Sequence, residues 1–179
     1  MEKMTESELV DYYTNELMPY FRIWHEVDGR SIISGARKRI DMIIESREIP
    51  PKRVQPIRFG IEFKTQQMES MNNYTAWLRQ AIGYTQCEWG IKKARLPILV
   101  APFINRDYCE DLGRMQCDIL TRLAGQFGIG ELGMELRRHD DGGTIPRMVI
   151  RMCDTRFWSS DEGWNASMAG MNFSKRYEL

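Results

Sequence analysis

The chain predicts a mixed β-sheet flanked by helices, an α/β (α+β) arrangement in a single domain. Three observations carry this. Helical and strand periodicities alternate along the sequence in the order α-β-β-β-α-β-α-β-β. Its 179 residues suit one core of useful size. Hydrophobic residues at 42% and charged residues at 28% lie near the globular average, which argues against wholesale disorder.

Residues 5–20 read as the first helix. Thr5 is an N-cap with acids in the first turn, Leu9, Tyr13, Leu17 and Tyr20 recur at helical spacing, and Pro19 ends the pattern. Residues 21–28 alternate as a strand, closed by the Asp28-Gly29 turn signal, with Gly35 in a second loop. Residues 39–45 form a mostly apolar second strand in which Asp41 stands out. Pro50, Pro51 and Pro56 make 46–56 an extended loop that cannot join a central sheet. Residues 57–64 form a third strand, 71–89 a helix with Trp77, Ala81 and Tyr84 on one face, and 96–102 a short buried strand between prolines. An amphipathic helix over 106–126 places Leu112, Met115, Ile119, Leu120 and Leu123 on an apolar face, ended by Gly128-Ile129-Gly130. Strands near 131–138 and 146–152 flank the Asp141-Gly142-Gly143 turn. The tail from 154 onward, polar with Phe157, Trp158 and Trp164 interspersed, is expected to supply an interface.

Formal net charge is zero, which counts against nucleic-acid binding by bulk charge alone but allows a local basic groove. Basic residues do cluster at Arg37-Lys38-Arg39, at Lys52, Arg53 and Arg58, and at Lys92, Lys93 and Arg95. Cys87, Cys109, Cys117 and Cys153 form no CxxC pair and lie far from His25 and His139, so a zinc site is not expected and free thiols are. Cys109 and Cys117 are expected to pack in the core from one helix. No apolar run reaches the ~18 residues of a membrane span, and the polar N-terminus lacks a signal peptide's apolar stretch. The expectation is a soluble, cytoplasmic protein with no membrane partner.

The chemistry concentrates in Gly60-Ile61-Glu62-Phe63-Lys64. In a strand, Glu62 and Lys64 share a face. An acid and an ammonium among Phe59, Ile61 and Phe63 are costly to bury without a task. If the strand of Asp41 is a neighbour, Asp41 and Glu62 converge as oxygen ligands for a hard cation such as Mg²⁺ or Mn²⁺. Such an ion lowers the pKa of a bound water and neutralises charge on a phosphate. Lys64 would position the water or stabilise developing negative charge.

Asp41 followed by Glu62-Phe63-Lys64 resembles the D…(D/E)-x-K signature of the PD-(D/E)xK nuclease superfamily, and Arg39-Ile40-Asp41 resembles its R-hydrophobic-D form. Ile40 stands where the family name has proline. Glu6-Ser7-Glu8-Leu9-Val10 resembles the E-x-E-L-V opening of archaeal Holliday-junction resolvases, and Gln80-Ala81-Ile82-Gly83-Tyr84 the Q-x-x-x-Y motif of RecB-like nucleases. The resemblance implies a restriction-endonuclease-like α-β-β-β-α-β core over about 5–102, with a helix and β-hairpin extension over about 103–179. It implies a Mg²⁺-dependent deoxyribonuclease, Mn²⁺ substituting, with nucleic acid, foremost DNA, as partner. Phage replication, mobile elements, recombination and repair are the settings it suggests, and cutting both strands of a duplex would call for a homodimer. The implied catalytic set is Asp41, Glu62, Lys64, Glu6, Gln80 and Tyr84, with Asp41, Glu62 and Glu6 on the metal. Glu6 faces inward by its spacing to Leu9 and Val10; Glu16 and Glu26 compete with it as third acid.

Each feature has a plainer alternative. Asp41 could be satisfied by backbone donors at a strand end, and Glu62 and Lys64 could form a surface pair on an edge strand. Gln80 and Tyr84 could be core, Glu6 a first-turn acid, and His25 and Glu26 ordinary strand residues. Trp158 and Trp164 could stack bases or close a core. A non-catalytic binding module on the same fold is the competing function, and an unrelated α/β protein the third.

Overall fold

The computed structural model describes residues 4–64, 71–90, 94–102, 113–138, 142–153 and 155–165. Helix α1 (Glu6–Leu17) opens the chain, capped by Thr5, whose side chain accepts from the Glu8 N–H while Glu8 reaches back to Thr5. Strands β1 (Phe21–Ser31), β2 (Arg37–Ser46) and β3 (Arg58–Phe63) follow, then α2 (Met71–Thr85), β4 (Cys87–Trp89), β5 (Ile98–Ala101), α3 (Gly113–Gln126), β6 (Ile129–Arg138), β7 (Thr144–Met152), β8 (Thr155–Ser159) and β9 (Gly163–Trp164).

Among the described residues, nine strands join one sheet in the order β4-β1-β2-β3-β5-β6-β7-β8-β9. The β1-β2-β3 meander is antiparallel, whereas β3, β5 and β6 are parallel neighbours. Parallel neighbours need crossovers, and α2 and α3 lie in those crossovers. The result is a mixed α/β molecule that is mostly sheet.

The sheet curls. In a flat sheet β1 and β8 would stand six strand spacings apart, roughly 29 Å at ~4.8 Å per spacing. Yet the ring centroids of Phe21 and Trp158 are 4.9 Å apart, and those of Phe59 and Phe157 6.0 Å. The C-terminal strands therefore fold back over the first three. Inside the curl, Leu9, Tyr13 and Leu17 of α1 pack with Phe21, Met42, Ile44, Phe59, Ile61, Phe63, Leu132 and Ile150. A second core holds Trp77, Ala81 and Tyr84 of α2 and Ala124 of α3 with Ile43, Ile98, Val100 and Ile129. Gly60 permits the close approach here, since a Cβ would sit 2.5 Å from Ile40 Cδ1 and 2.9 Å from Ile98 Cδ1.

Several expectations are corrected. Within the tail, 155–165 carry two strands whose aromatic side chains turn inward rather than out: Phe157 and Trp158 are buried and Trp164 partly so, all three in the first core, while 154 and 166–179 lie outside the described residues. Strand β8 buries Phe157, Trp158 and Ser159 in succession, so no alternation along the sequence announces it. The helix expected over 71–89 ends at Thr85, because Cys87–Trp89 pairs with β1 as an edge strand. On α3 the stripe expected to be core is turned outward at Ile119 and Leu123, both half exposed, while Ala124 is buried. The side chains of Cys109 and Cys117, Lys92, Lys93, His139, Asp141 and the 106–112 part of the expected helix lie outside the described residues. Among the described residues, no helix is long and apolar enough to cross a membrane.

The packing of Trp158 against Phe21, Tyr20 and Trp164 gives the first prediction. Trp158→Ala should cost about 3–5 kcal/mol in urea unfolding, as for large aromatic deletions from a core, with no change in sedimentation behaviour. A shift in oligomeric state at unaltered stability would restore the interface role.

Candidate metal site

Asp41 and Glu62 meet where the sheet comes apart. The β2-β3 ladder pairs Glu45↔Arg58 through Met42↔Ile61 and stops there. One step further along the register, Asp41 lies opposite Glu62. Two carboxylates directly across a strand pair repel, and the backbone bonds give way at that step. The Phe63 N–H donates instead to Asp41 Oδ2 at 2.8 Å. The other flank of Asp41 is also disturbed. β1 pairs with β2 at His25↔Met42 and Val27↔Ile40 but not at Glu26, which has a left-handed φ of 51°.

Glu62 and Lys64 share a face, as strand alternation requires, and Lys64 Nζ donates to Glu62 Oε1 at 2.6 Å. The Lys64 N–H donates to the Ala101 carbonyl at 2.8 Å, which extends the β3-β5 ladder and fixes the lysine's origin. This is no edge pair: β3 lies between β2 and β5, and Glu62 is buried.

From the second core, α2 adds Gln80 and Tyr84, one helical turn apart and on one face. Gln80 Nε2 donates to Glu62 Oε1 at 2.5 Å and to the Tyr84 hydroxyl oxygen at 2.9 Å. The Tyr84 hydroxyl in turn donates to the Arg39 carbonyl at 3.1 Å. A continuous chain of hydrogen bonds thus runs from β2 through α2 to β3. Tyr84 is both core residue, edge-on to Trp89 at 5.5 Å, and part of the site. The Arg39 carbonyl could not be foreseen, since any residue type supplies one.

The third acid is now narrowed. Glu6 is exposed, yet its charge reaches both Asp41 and Glu62 and raises the pKa of each. Glu26, ion-paired with Arg39 at 2.6 Å, also acts on Asp41. The charge of Glu16 acts on Tyr12. His25 is exposed on β1. Glu131, a buried acid with no motif around it in the sequence, shares the Val100 register position with Glu62 from the far side of β5.

Burial, first, raises the Asp41 carboxyl above its usual range; the Phe63 amide and the Lys64 charge oppose this, while Glu6 and Glu26 add to it. Burial likewise pushes Glu62 up to about 7, the Lys64 hydrogen bond opposing it and the charges of Asp41 and Glu6 adding to it. The two donors on Glu62 share Oε1, while Oε2 is buried with no hydrogen-bond partner. A carboxylate oxygen that is buried, unpartnered and near a second carboxylate suits a cation. Among the described residues no three His, Cys, Asp or Glu side chains are placed to enclose an ion by themselves. Two carboxylates nonetheless suit Mg²⁺, which keeps several waters and takes one or two protein carboxylates.

No protein-family model matches the chain, and no curated protein or solved structure does.

Glu62 also sets a pH dependence. Its folded pKa lies above the unfolded value of 4.5, so its contribution to stability is full below pH 4.5 and is lost as pH rises through about 7. In EDTA, Glu62→Gln should therefore raise stability at pH 8, by on the order of 1–3 kcal/mol, and leave it nearly unchanged at pH 4. Thermal melts at the two pH values test this; a destabilised variant at pH 8 would contradict it.

Proposed function

We propose that the protein is a metal-dependent nuclease of the PD-(D/E)xK kind that hydrolyses phosphodiester bonds of DNA. The observation that carries this reading is the meeting of Asp41, Glu62 and Lys64 at the opened β2-β3 step, with Glu62 Oε2 left unpartnered. Two other features support it. The run α1-β1-β2-β3-α2-β5, interrupted only by the edge strand β4, has the order expected of a restriction-endonuclease-like core. Gln80 reaches Glu62 from α2 and Tyr84 holds Gln80, in keeping with the Q-x-x-x-Y resemblance.

In this reading Asp41 and Glu62 hold Mg²⁺, or Mn²⁺ in its place, with Glu6 as the acid supplied by α1. When bound, the ion provides Lewis-acid polarisation of the phosphate and acidifies a water ligand. The protein's own groups do the rest. The Phe63 N–H fixes one oxygen of Asp41, so its other oxygen has a set direction. Gln80 and Lys64 hold Oε1 of Glu62 and leave Oε2 for a ligand. Tyr84 keeps Gln80 in place by accepting its second N–H. Lys64 is partly exposed, and with one N–H on Glu62 it has two more donors for the attacking water or a non-bridging phosphate oxygen. Water adds to phosphorus, one P–O ester bond breaks, and a phosphomonoester and a free hydroxyl result. A cut in both strands of a duplex would need a second copy of the site, hence a homodimer.

Purified protein should cut DNA in Mg²⁺ or Mn²⁺ and not in EDTA, when offered single-stranded, duplex, circular and branched DNA with RNA alongside. Lys64→Ala should lower the rate by about 10²-fold or more, the scale for loss of one charge-stabilising donor. No cutting of any substrate by folded protein would favour the non-catalytic module, and equal cutting by both proteins would remove Lys64 from the site.

A further inference from the structure

The β1-β2 hairpin runs past the site and ends in a turn that presents two isoleucines to solvent. Ile32 is 49% and Ile33 79% exposed. The turn is built rather than loose. The Ser31 N–H donates to the Ala36 carbonyl, the Gly35 N–H to the Ser31 carbonyl, and the Ser34 N–H to Ser31 Oγ. Gly35 takes a left-handed φ of 69° to close it. The Ile32 N–H donates to the Gln86 carbonyl, and β4 pairs along Gly29–Ser31, so the finger is braced from one side. A rigid turn holding Ile33 outward forgoes the burial that an isoleucine gains in a core, about 1.5–3 kcal/mol.

Basic groups surround this tip. Across 28–39, Arg30, Arg37, Lys38 and Arg39 stand against one acid, Asp28, a net of +3 in a chain whose total is zero. All four are exposed; Arg39 pairs with Glu26, and Glu88 of β4 lies across from Arg30. An apolar point with cations behind it complements a duplex, where phosphates draw the cations and a base step accepts the wedge.

We infer that the Ile32-Ile33 tip is a wedge that enters the base stack of a DNA duplex whose backbone lies along the cross-strand pair Arg30 and Arg37. This rests on the nuclease reading for its placement relative to the cut. Asp41 lies five residues from Ala36, roughly 17 Å of extended strand, which spans about five base steps. The wedge lies beyond Ala36, so it parts the stack more than about five steps from the bond at the metal site, and the protein reads how easily a step unstacks.

The test uses the full chain and duplexes carrying 2-aminopurine at successive positions, with Ca²⁺ replacing Mg²⁺ for binding and Mg²⁺ added for cutting. Wild type should raise the fluorescence at one position, as unstacking requires, and Ile33→Ser should abolish that rise at an unchanged melting temperature. Arg30→Ala and Arg37→Ala should each lower the salt slope of binding by about one. Equal signals from wild type and Ile33→Ser, with Mg²⁺-dependent cutting intact, overturn the wedge and leave the nuclease standing. An Ile33-dependent signal without cutting keeps the wedge and removes the nuclease. Absence of duplex binding, with Ile33→Ser altering self-association or vesicle adhesion instead, overturns the wedge in favour of a protein or lipid contact.

Discussion

Repulsion between Asp41 and Glu62 is the constraint on which the site depends. Two carboxylates at one cross-strand step, both largely removed from water, are unstable as a pair of anions. The structure answers with local devices: a backbone amide on Asp41, an ammonium and an amide on one oxygen of Glu62, and a ladder that opens at that step. These offset the cost only in part, since both carboxyls still stay above their ordinary range. Such residual strain marks a functional site more often than a structural one.

The fold supplies the means to hold that strain. β3 lies in the interior of the sheet, between β2 and β5, so Glu62 cannot escape to solvent by local fraying. The curl seals one face of the sheet with α1 and the C-terminal strands, and α2 covers the other with Gln80 and Tyr84. The edges carry different burdens. β4 braces the exposed β1-β2 finger, while Arg147 links Glu135 to Asp161 across the C-terminal strands.

Much of this was legible in the sequence because its signals are short-range. Apolar strands interrupted by Asp41 and by Glu62-x-Lys64, and Gln80 and Tyr84 one turn apart, follow from fixed periodicities. The helix start at Thr5 followed from its capping chemistry. What was not legible depends on tertiary placement. Nothing local tells that Cys87–Trp89 leaves its helix to pair with β1, or that Phe157 and Trp158 close a curl over Phe21 and Phe59. The helical periodicity of α3 does not say which face is buried: Ile119 and Leu123 lie half exposed, because only neighbours decide that. The left-handed Glu26 was likewise hidden, since its strain arises from the disturbed step beside Asp41.

The most direct measurement is the titration of the Glu62 carboxyl carbon by ¹³C NMR, with and without Mg²⁺. A strained site for a divalent cation predicts a midpoint near 7 in EDTA that falls by more than about one unit when Mg²⁺ binds the ionised pair. A midpoint near the ordinary glutamate value of about 4.3, unmoved by Mg²⁺, would contradict both the strain and the cation site.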